Sequence, residues 1–401
     1  MKKIVGASLL STMLLLGQPI MAFADIDTTT TTTDGTTATT DSKTINFGDI
    51  GSIIAEQNIE AHINVNKRLQ SKLSSTDLKK TIRELEDDLE DVNDQRDSAD
   101  FAEIIQLGAE KRVLLANIKL AERNIIDQPT LEAMADLQAS MSDDSQTRFA
   151  ESIFVAYNQL NLNSADISLS IKTLEDQLTT LQLQESLGMI TYNAMNDLKT
   201  KIVDLQTNLE SIEFQRESLE SQLKNVLNDQ ENTLVIGSIP IVDQELIIED
   251  EDADLKMAQE NSYAIKLQEQ QIVILQSALA SAQKDHGGSS KEYKSTNYEL
   301  ENATLELAQL KDTLRLNYNS MLDDITKKQS DLRLAEQTLA DKKVALTEAQ
   351  IRMSLGMLSK LDMDSAFTNY QVQEDAVKTK QIELFNAKNS YEWFLKGMPQ
   401  A

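Results

Sequence analysis

Apolar residues recur along most of this chain in alternating steps of four and three. Leu78, Ile82, Leu85, Leu89 and Val92 form one such series, and Ile167, Ile171, Leu174, Leu178 and Leu181 form another. Steps of four and three keep the apolar groups on one face of a supercoiled helix, so they predict coiled-coil seams. The pattern resumes at Ile202, Leu205, Leu209, Ile212, Leu219, Leu223 and Val226, and again at Ile325, Leu332, Leu339 and Leu346. Breakers are few: Pro129, Gly188, the Gly237 to Pro240 pair, Gly287-Gly288 and Gly356, with Gly108 inside a helical pattern. Pro129 suits the first turn of a new helix, where its missing N–H has no partner to lose. The intervals predict helices of roughly 40 to 65 residues, about 60 to 100 Å long at 1.5 Å per residue. The expected fold class is all-α: long antiparallel helical hairpins in coiled-coil packing, arranged as two tandem structural repeats.

The repeat is visible in two turns, "ESLGMIT" from Glu185 to Thr191 and "MSLGMLS" from Met353 to Ser359. Tyr157-Asn158 begins 31 residues before Gly188 and Tyr318-Asn319 begins 38 residues before Gly356. The two spacings differ by one heptad, which leaves the buried seam on the same face. Each turn is followed by a returning helix, so the unit reads helix, break, long helix, turn, helix. An acidic stretch from Arg83 to Asp97, "RELEDDLEDVNDQRD", belongs to the first copy alone. Between the copies, "TLVIGSIPIVDQELIIED" from Thr233 to Asp250 clusters β-branched residues beside Gly and Pro, which predicts one or two short strands. In each turn the Gly permits a positive φ, the Thr or Ser can cap the next helix, and the Met offers an adaptable apolar contact. Each turn therefore reads either as a pair of helix caps or as a tip that also docks a partner.

Composition narrows the function classes. The 401 residues include 12 Gly, 4 Pro, no Cys and 4% aromatics, too few bulky groups for a large globular core. A net charge of −27 argues against nucleic acid or an anionic lipid surface as partner, because no basic excess exists to bind phosphates. The lack of Cys removes disulfides, thiol nucleophiles and thiolate metal sites, and fits an exported protein. Lys2 and Lys3, the apolar run Ile4 to Leu16 and Ala22-Phe23-Ala24 read as a signal peptide cleaved after Ala24. That run is shorter than the ~20 residues that span a bilayer and none like it follows, so the mature chain is expected to lack a transmembrane helix. Asp25 to Ser42 is mostly Thr with scattered Asp, an extended leader acting as a tether, a spacer or a site of O-linked modification. The expected layout is signal peptide 1–24, Thr-rich disordered leader 25–44, first repeat 45–232, connector 233–252 and second repeat 253–401. The two histidines, His62 and His286, have no carboxylate cluster at ligand spacing, and Ser289 and Ser290 lack the strand-to-helix setting of a nucleophile. Neither enzyme activity nor a metal or cofactor is expected.

A tandem repeat whose long helix ends in Leu-Gly-x-(Ile/Leu)-(Thr/Ser) and returns as another long helix resembles the TolC family of outer-membrane efflux proteins. The resemblance covers roughly Ile45 to Met398. It implies a homotrimer whose chains build an α-helical tunnel, with turns that meet a membrane-fusion adaptor, and an inner transporter as a further partner. Carried over by position, the docking tips are Leu187, Gly188, Met189 and Thr191, and Leu355, Gly356, Met357 and Ser359. The family often places an Asp six residues after the turn glycine, near the tunnel constriction; Asp362 stands there. Ala194 takes that place in the first copy, with Asp197 one turn further. Asp197 and Asp362 are thus the candidate constriction carboxylates, although Asp362 also reads as a solvated carboxylate at a helix N-terminus. The family inserts long strand pairs that build a barrel, whereas the breaks here, "NIIDQPT" (Asn124 to Thr130) and "KDHGGSSKEY" (Lys284 to Tyr293), are shorter and more polar than the ~9 to 11 residue strands that cross a bilayer. The chain thus looks like a barrel-less relative placed in the wall or at the surface of a bacterial envelope. Two functions stay open: an efflux or export conduit that docks an adaptor, and a non-transporting coiled-coil scaffold of the wall.

Overall fold

The computed structural model describes residues 42–187, 192–230, 233–241 and 246–399; the expected signal peptide and most of the leader lie outside them. A strand β1, Ser42–Ile45, and a short 3-10 turn lead into helices α1, Ile50–Gln57, and α2, Ile59–Asp97. Helix α3 runs over 86 residues, Phe101–Ser186, and α4, Tyr192–Val226, returns along it. Strand β2, Thr233–Ile236, pairs in parallel with β1, Ser42 opposite Thr233. There follow α5, Glu251–Asn261, α6, Tyr263–His286, α7, Lys291–Ser354, and α8, Lys360–Leu395. Helices α2–α3, α3–α4, α6–α7 and α7–α8 pack as successive antiparallel neighbours, and α3 also packs against α6 and α8. The architecture is the all-α assembly of long hairpins that the apolar period predicts. One connector strand forms as expected, but its partner comes from Ser42 to Ile45, at the end of the segment assigned to the leader.

Pro129 does not begin a helix: it lies inside α3, which runs unbroken through "NIIDQPT". A proline inside a helix forfeits one backbone hydrogen bond and costs about 3 kcal/mol. Buried Ile118, Ala121, Met134 and Ala139 fix α3 on either side of it, and Gln128 donates to the carbonyl of Ser71 at 3.1 Å, tying the proline turn to α2. The break falls instead at Ser98 to Asp100. There Asp100 accepts from the N–H groups of Ala102 and Glu103 while Glu103 accepts from the N–H of Asp100, a complete capping box. In the second half the break is where the glycines predict it, with Gly287 at φ 80° and Ser290 capping α7.

Asp285, near the end of α6, pairs with Lys119 and Arg123 of α3. The hydrogen bond from Lys119 and the two cationic charges hold its carboxyl below the usual carboxylate range. The α2–α3 hairpin continues past this clamp to Phe101, roughly 18 residues or about 27 Å of helix. The acidic stretch Arg83 to Asp97 is the α2 side of that overhang.

Each returning helix ends in the same way. At the end of α4, Asn228 takes φ 53°, and the N–H groups of Asn228 and Asp229 donate to the carbonyls of Asn225 and Lys224 at 3.2 and 2.9 Å. At the end of α8, Gly397 takes φ 99°, and the N–H groups of Gly397 and Met398 donate to Phe394 and Trp393, both at 3.0 Å. Both are Schellman motifs. The kinks before α2 and α6 then grip these ends. Asn58 donates to the carbonyl of Val226 at 2.6 Å and Asn261 to that of Leu395 at 2.8 Å.

Two cores root the hairpins. The first gathers Ile50, Ile54, Phe154, Leu223, Leu227 and Leu234; the second gathers Ala258, Tyr318, Met321, Leu384, Tyr391 and Phe394. In the second, Tyr391 donates to the Asp254 carboxylate. The buried hydroxyl of Tyr318 lies beside Tyr391 without a hydrogen bond of ordinary geometry, and burial pushes its pKa up. Deleting an unpaired buried hydroxyl is close to neutral, whereas deleting a donor to a carboxylate costs about 1.5–3 kcal/mol. Tyr318→Phe is therefore expected to leave the thermal midpoint nearly unchanged and Tyr391→Phe to lower it, read by circular dichroism at 222 nm.

Candidate functional site

The second hairpin tip shows how its residues build the turn. Helix α7 ends in another Schellman motif: Gly356, at φ 69°, donates its N–H to the carbonyl of Met353 at 2.9 Å, and Met357 donates to Arg352 at 2.8 Å. Helix α8 then starts from Ser359, whose Oγ accepts from the N–H of Asp362 at 3.1 Å and donates to the Asp362 carboxylate at 2.7 Å. Both turn residues with caps thus do the backbone work that their types suggest. The side chains of Leu355 and Met357 have no role in that work. They are 66% and 68% exposed, which makes the tip an apolar knob rather than a buried corner.

At the first tip Gly188, Met189 and Thr191 lie outside the described residues. Leu187, the residue that closes α3, is 66% exposed, and Leu183 one turn before it is 63% exposed. Ile351 and Leu355 repeat that four-residue spacing at the second tip, at 56% and 66% exposure. The flanks of the two tips therefore present matching apolar pairs.

Asp362 is exposed, yet its carboxylate is engaged by Ser359 at the positive end of α8. Asp197 is exposed on α4. No described contact brings the two candidate constriction carboxylates together within the chain. Among the described residues no group of three or more His, Asp or Glu could hold a metal ion, and no helix is long and apolar enough to cross a membrane. His286 closes α6, and the ring of His62 reaches the carbonyl of Glu56 at 3.1 Å.

What sequence reasoning missed is the seam between the two halves, where α3 meets α8. Glu151 accepts from the indole of Trp393 at 2.6 Å and from Asn389 at 2.8 Å. Arg148 donates to the carbonyl of Pro399 at 2.5 Å, and further along Thr173 and Thr368 share a hydrogen bond of 3.1 Å. The nearby kink before α6 joins α3 as well, through the Tyr263 hydroxyl on Asp144 at 2.7 Å; burial, followed by that bond, pushes the phenol pKa up. A lone buried Trp needs an acceptor, and that was the available signal.

No family model and no curated protein matches the sequence. Solved structures do match. A membrane protein from Pseudomonas aeruginosa aligns over 69% of this chain and 72% of its own, with 10% identity and a TM-score of 0.55. The Campylobacter jejuni CmeC outer membrane channel aligns over 70% of this chain and 69% of its own, with 10% identity and a TM-score of 0.54. The CusC transmembrane channel aligns over 85% of this chain and 91% of its own, with 9% identity and a TM-score of 0.52. At such identities the likeness is one of fold, and the fold is TolC-like.

Proposed function

We propose that this chain is a TolC-like export component: an α-helical conduit of the cell envelope whose hairpin tips dock a membrane-fusion adaptor serving an inner transporter. The observation that carries the reading is the matched pair of tips, where Leu183 and Leu187 on one hairpin and Ile351 and Leu355 on the other stand exposed at the same spacing. Exposed apolar groups at the ends of two long helices fit a second protein's surface better than water. The Asn58 and Asn261 grips on α4 and α8 support a division into two repeats, residues 45–232 and 253–401, joined by a connector. Association as a homotrimer is supported by α7. Its Tyr298, Leu305, Leu316 and Leu334 are all exposed, and they follow one another after 7, 11 and 18 residues, close to whole helical turns. A neighbouring copy would cover that row. The N-terminal signal pattern supports export to the envelope, and the tip carboxylates Asp197 and Asp362 would line the narrow end.

The second reading, a non-transporting coiled-coil scaffold of the wall, is favoured by one observation. The joints between α2 and α3 and between α6 and α7 are turns of three and four residues, with no room there for barrel strands. Adaptor binding separates the two. Calorimetric titration with the adaptor encoded nearest the gene is expected to show binding that weakens about tenfold or more in the Met189→Ser, Met357→Ser double variant, since one or two apolar anchors each contribute about 1–2 kcal/mol to such contacts. Its helical signal should stay unchanged. No binding by the parent protein points to the scaffold, and unchanged affinity in the folded double variant removes the Met tips from docking.

A further inference from the structure

The α3–α8 seam contains a pair of acids that the fold itself does not explain. Asp166 of α3 is partly buried, and its Oδ1 is sealed from solvent without a hydrogen-bond partner. Asp375 of α8 faces it within hydrogen-bonding reach. The helices run antiparallel here: Thr173 meets Thr368 seven residues along from Asp166 and Asp375, respectively. One turn from Asp375 on the same helix, the Oε1 of Gln371 is also sealed and unpartnered. Two carboxylates in contact without a donor between them require a bridging proton or must repel.

The surrounding charges do not remove the conflict. Lys378 lies 2.7 Å from Asp375 but is committed to that carboxylate, and Glu374 acts on the same ammonium. The charges acting on Asp166 are those of Asp375 and Lys378, both on α8; none comes from α4 or α7, which flank the seam. Desolvation first, then the contact with Asp375, pushes the Asp166 carboxyl up to about 6.

We propose that Asp166 and Asp375 form a proton-operated latch between the two helical hairpins, closed when the pair shares one proton and loosened when both carboxylates are ionised. An opened seam lets water reach both acids, and each then titrates near the ordinary carboxylate value. The closed seam thus binds a proton that the open seam does not between about pH 4 and 6. Closure is favoured as pH falls through about 6 and is lost above it. The latch sits between the same two hairpins that carry the tips, so what it would control, the spacing of the tips, rests on the conduit reading. The latch itself does not.

Hydrogen exchange on the isolated full-length protein tests it without adaptor or transport. Peptides from residues 160–176 and 366–380 are expected to be about tenfold better protected at pH 5 than at pH 7.5, after correction for intrinsic exchange. A two-unit displacement sets a ceiling of about a hundredfold, reached only below about pH 4; at pH 5, one unit under the raised value, about tenfold of it is realised at most. Asp166→Asn should show the low-pH protection at both pH values, and Asp375→Asn, which removes the partner, should also flatten the response. A flat profile in the parent protein overturns the latch. So does an unaltered profile in the two Asn variants, and so does protection that follows added magnesium or calcium at pH 7.5, which would identify a bound cation in place of the proton. Helicity by circular dichroism guards against a variant that fails to fold.

Discussion

Gly397→Ala is expected to destabilise the protein by about 3–5 kcal/mol, far more than the same change at Gly356. A Cβ at Gly397 would lie 2.2 Å from the carbonyl oxygen of Asn261 and 2.5 Å from its carbon, so backbone must move. The residue also sits at φ 99°, where an alanine is strained by about 1–3 kcal/mol. Relieving the overlap means pulling the end of α8 away from the kink before α6. That loses the Asn261 bond to Leu395 and the bond from the Tyr263 N–H to the Gly397 carbonyl, about 1 kcal/mol each. Gly356 shares the positive φ, at 69°, but nothing lies within 4 Å of its missing Cβ, so only the left-handed strain of about 1–2 kcal/mol remains. Urea unfolding followed by circular dichroism measures both, and equal midpoints for the two alanine variants would refute the close approach.

The second large effect is expected at Phe154. Its side chain is fully buried among Leu223, Leu227 and Leu234, and its ring meets that of Phe47 edge-on at 5.7 Å. Phe47 in turn packs edge-on against Phe385 of α8 at 4.8 Å, so one aromatic from the turn after β1 wedges between α3 and α8. Truncating Phe154 to Ala empties the centre of the first core, and a cavity of that kind costs about 3–5 kcal/mol. Phe214→Ala is the control: Phe214 is 62% exposed and its loss should stay within about 0.5 kcal/mol. The loss in Phe154→Ala should also speed amide exchange in β1 and β2, whose pairing rests on that core. A Phe154 variant as stable as the Phe214 variant would place the core elsewhere.

The helices were legible because the apolar period is physical. Val92, Ile171, Ile202, Ile212, Leu223, Ile325 and Leu346, all members of the sequence series, are buried. Local chemistry is legible too: Gly356 has the positive φ that its turn permits, Ser359 caps α8, and the breaker pair Gly287-Gly288 falls at the joint between α6 and α7. Pro129 misleads because propensity carries no account of the burial of Ile118, Ala121, Met134 and Ala139 that holds α3 on either side of it. The break at Asp100 is written in the Asp-x-x-Glu of its capping box, a signal with no glycine or proline beside it. Nothing local encodes the parallel pairing of β1 with β2, which joins segments some 190 residues apart. The α3–α8 seam was hidden for the same reason, since a heptad period shows that a face is buried but not which helix covers it. Asp362, read both as a constriction carboxylate and as a solvated carboxylate at a helix N-terminus, is exposed in the first turn of α8, where it accepts from Ser359.

Helix α3 has a consequence for how this chain can change length over generations. Its 86 residues carry, without a loop, the surfaces that meet α2, α4, α6 and α8. Deleting one residue in its middle would rotate everything downstream by about 100° against everything upstream, and no flexible joint exists to absorb the turn. Insertions and deletions are therefore confined to whole heptads inside α3, or to paired additions on both sides of the turn at Ser98 to Asp100. That turn crowns the overhang in which the first half outgrows the second, so the overhang marks the place where this architecture can lengthen while every other contact keeps its register.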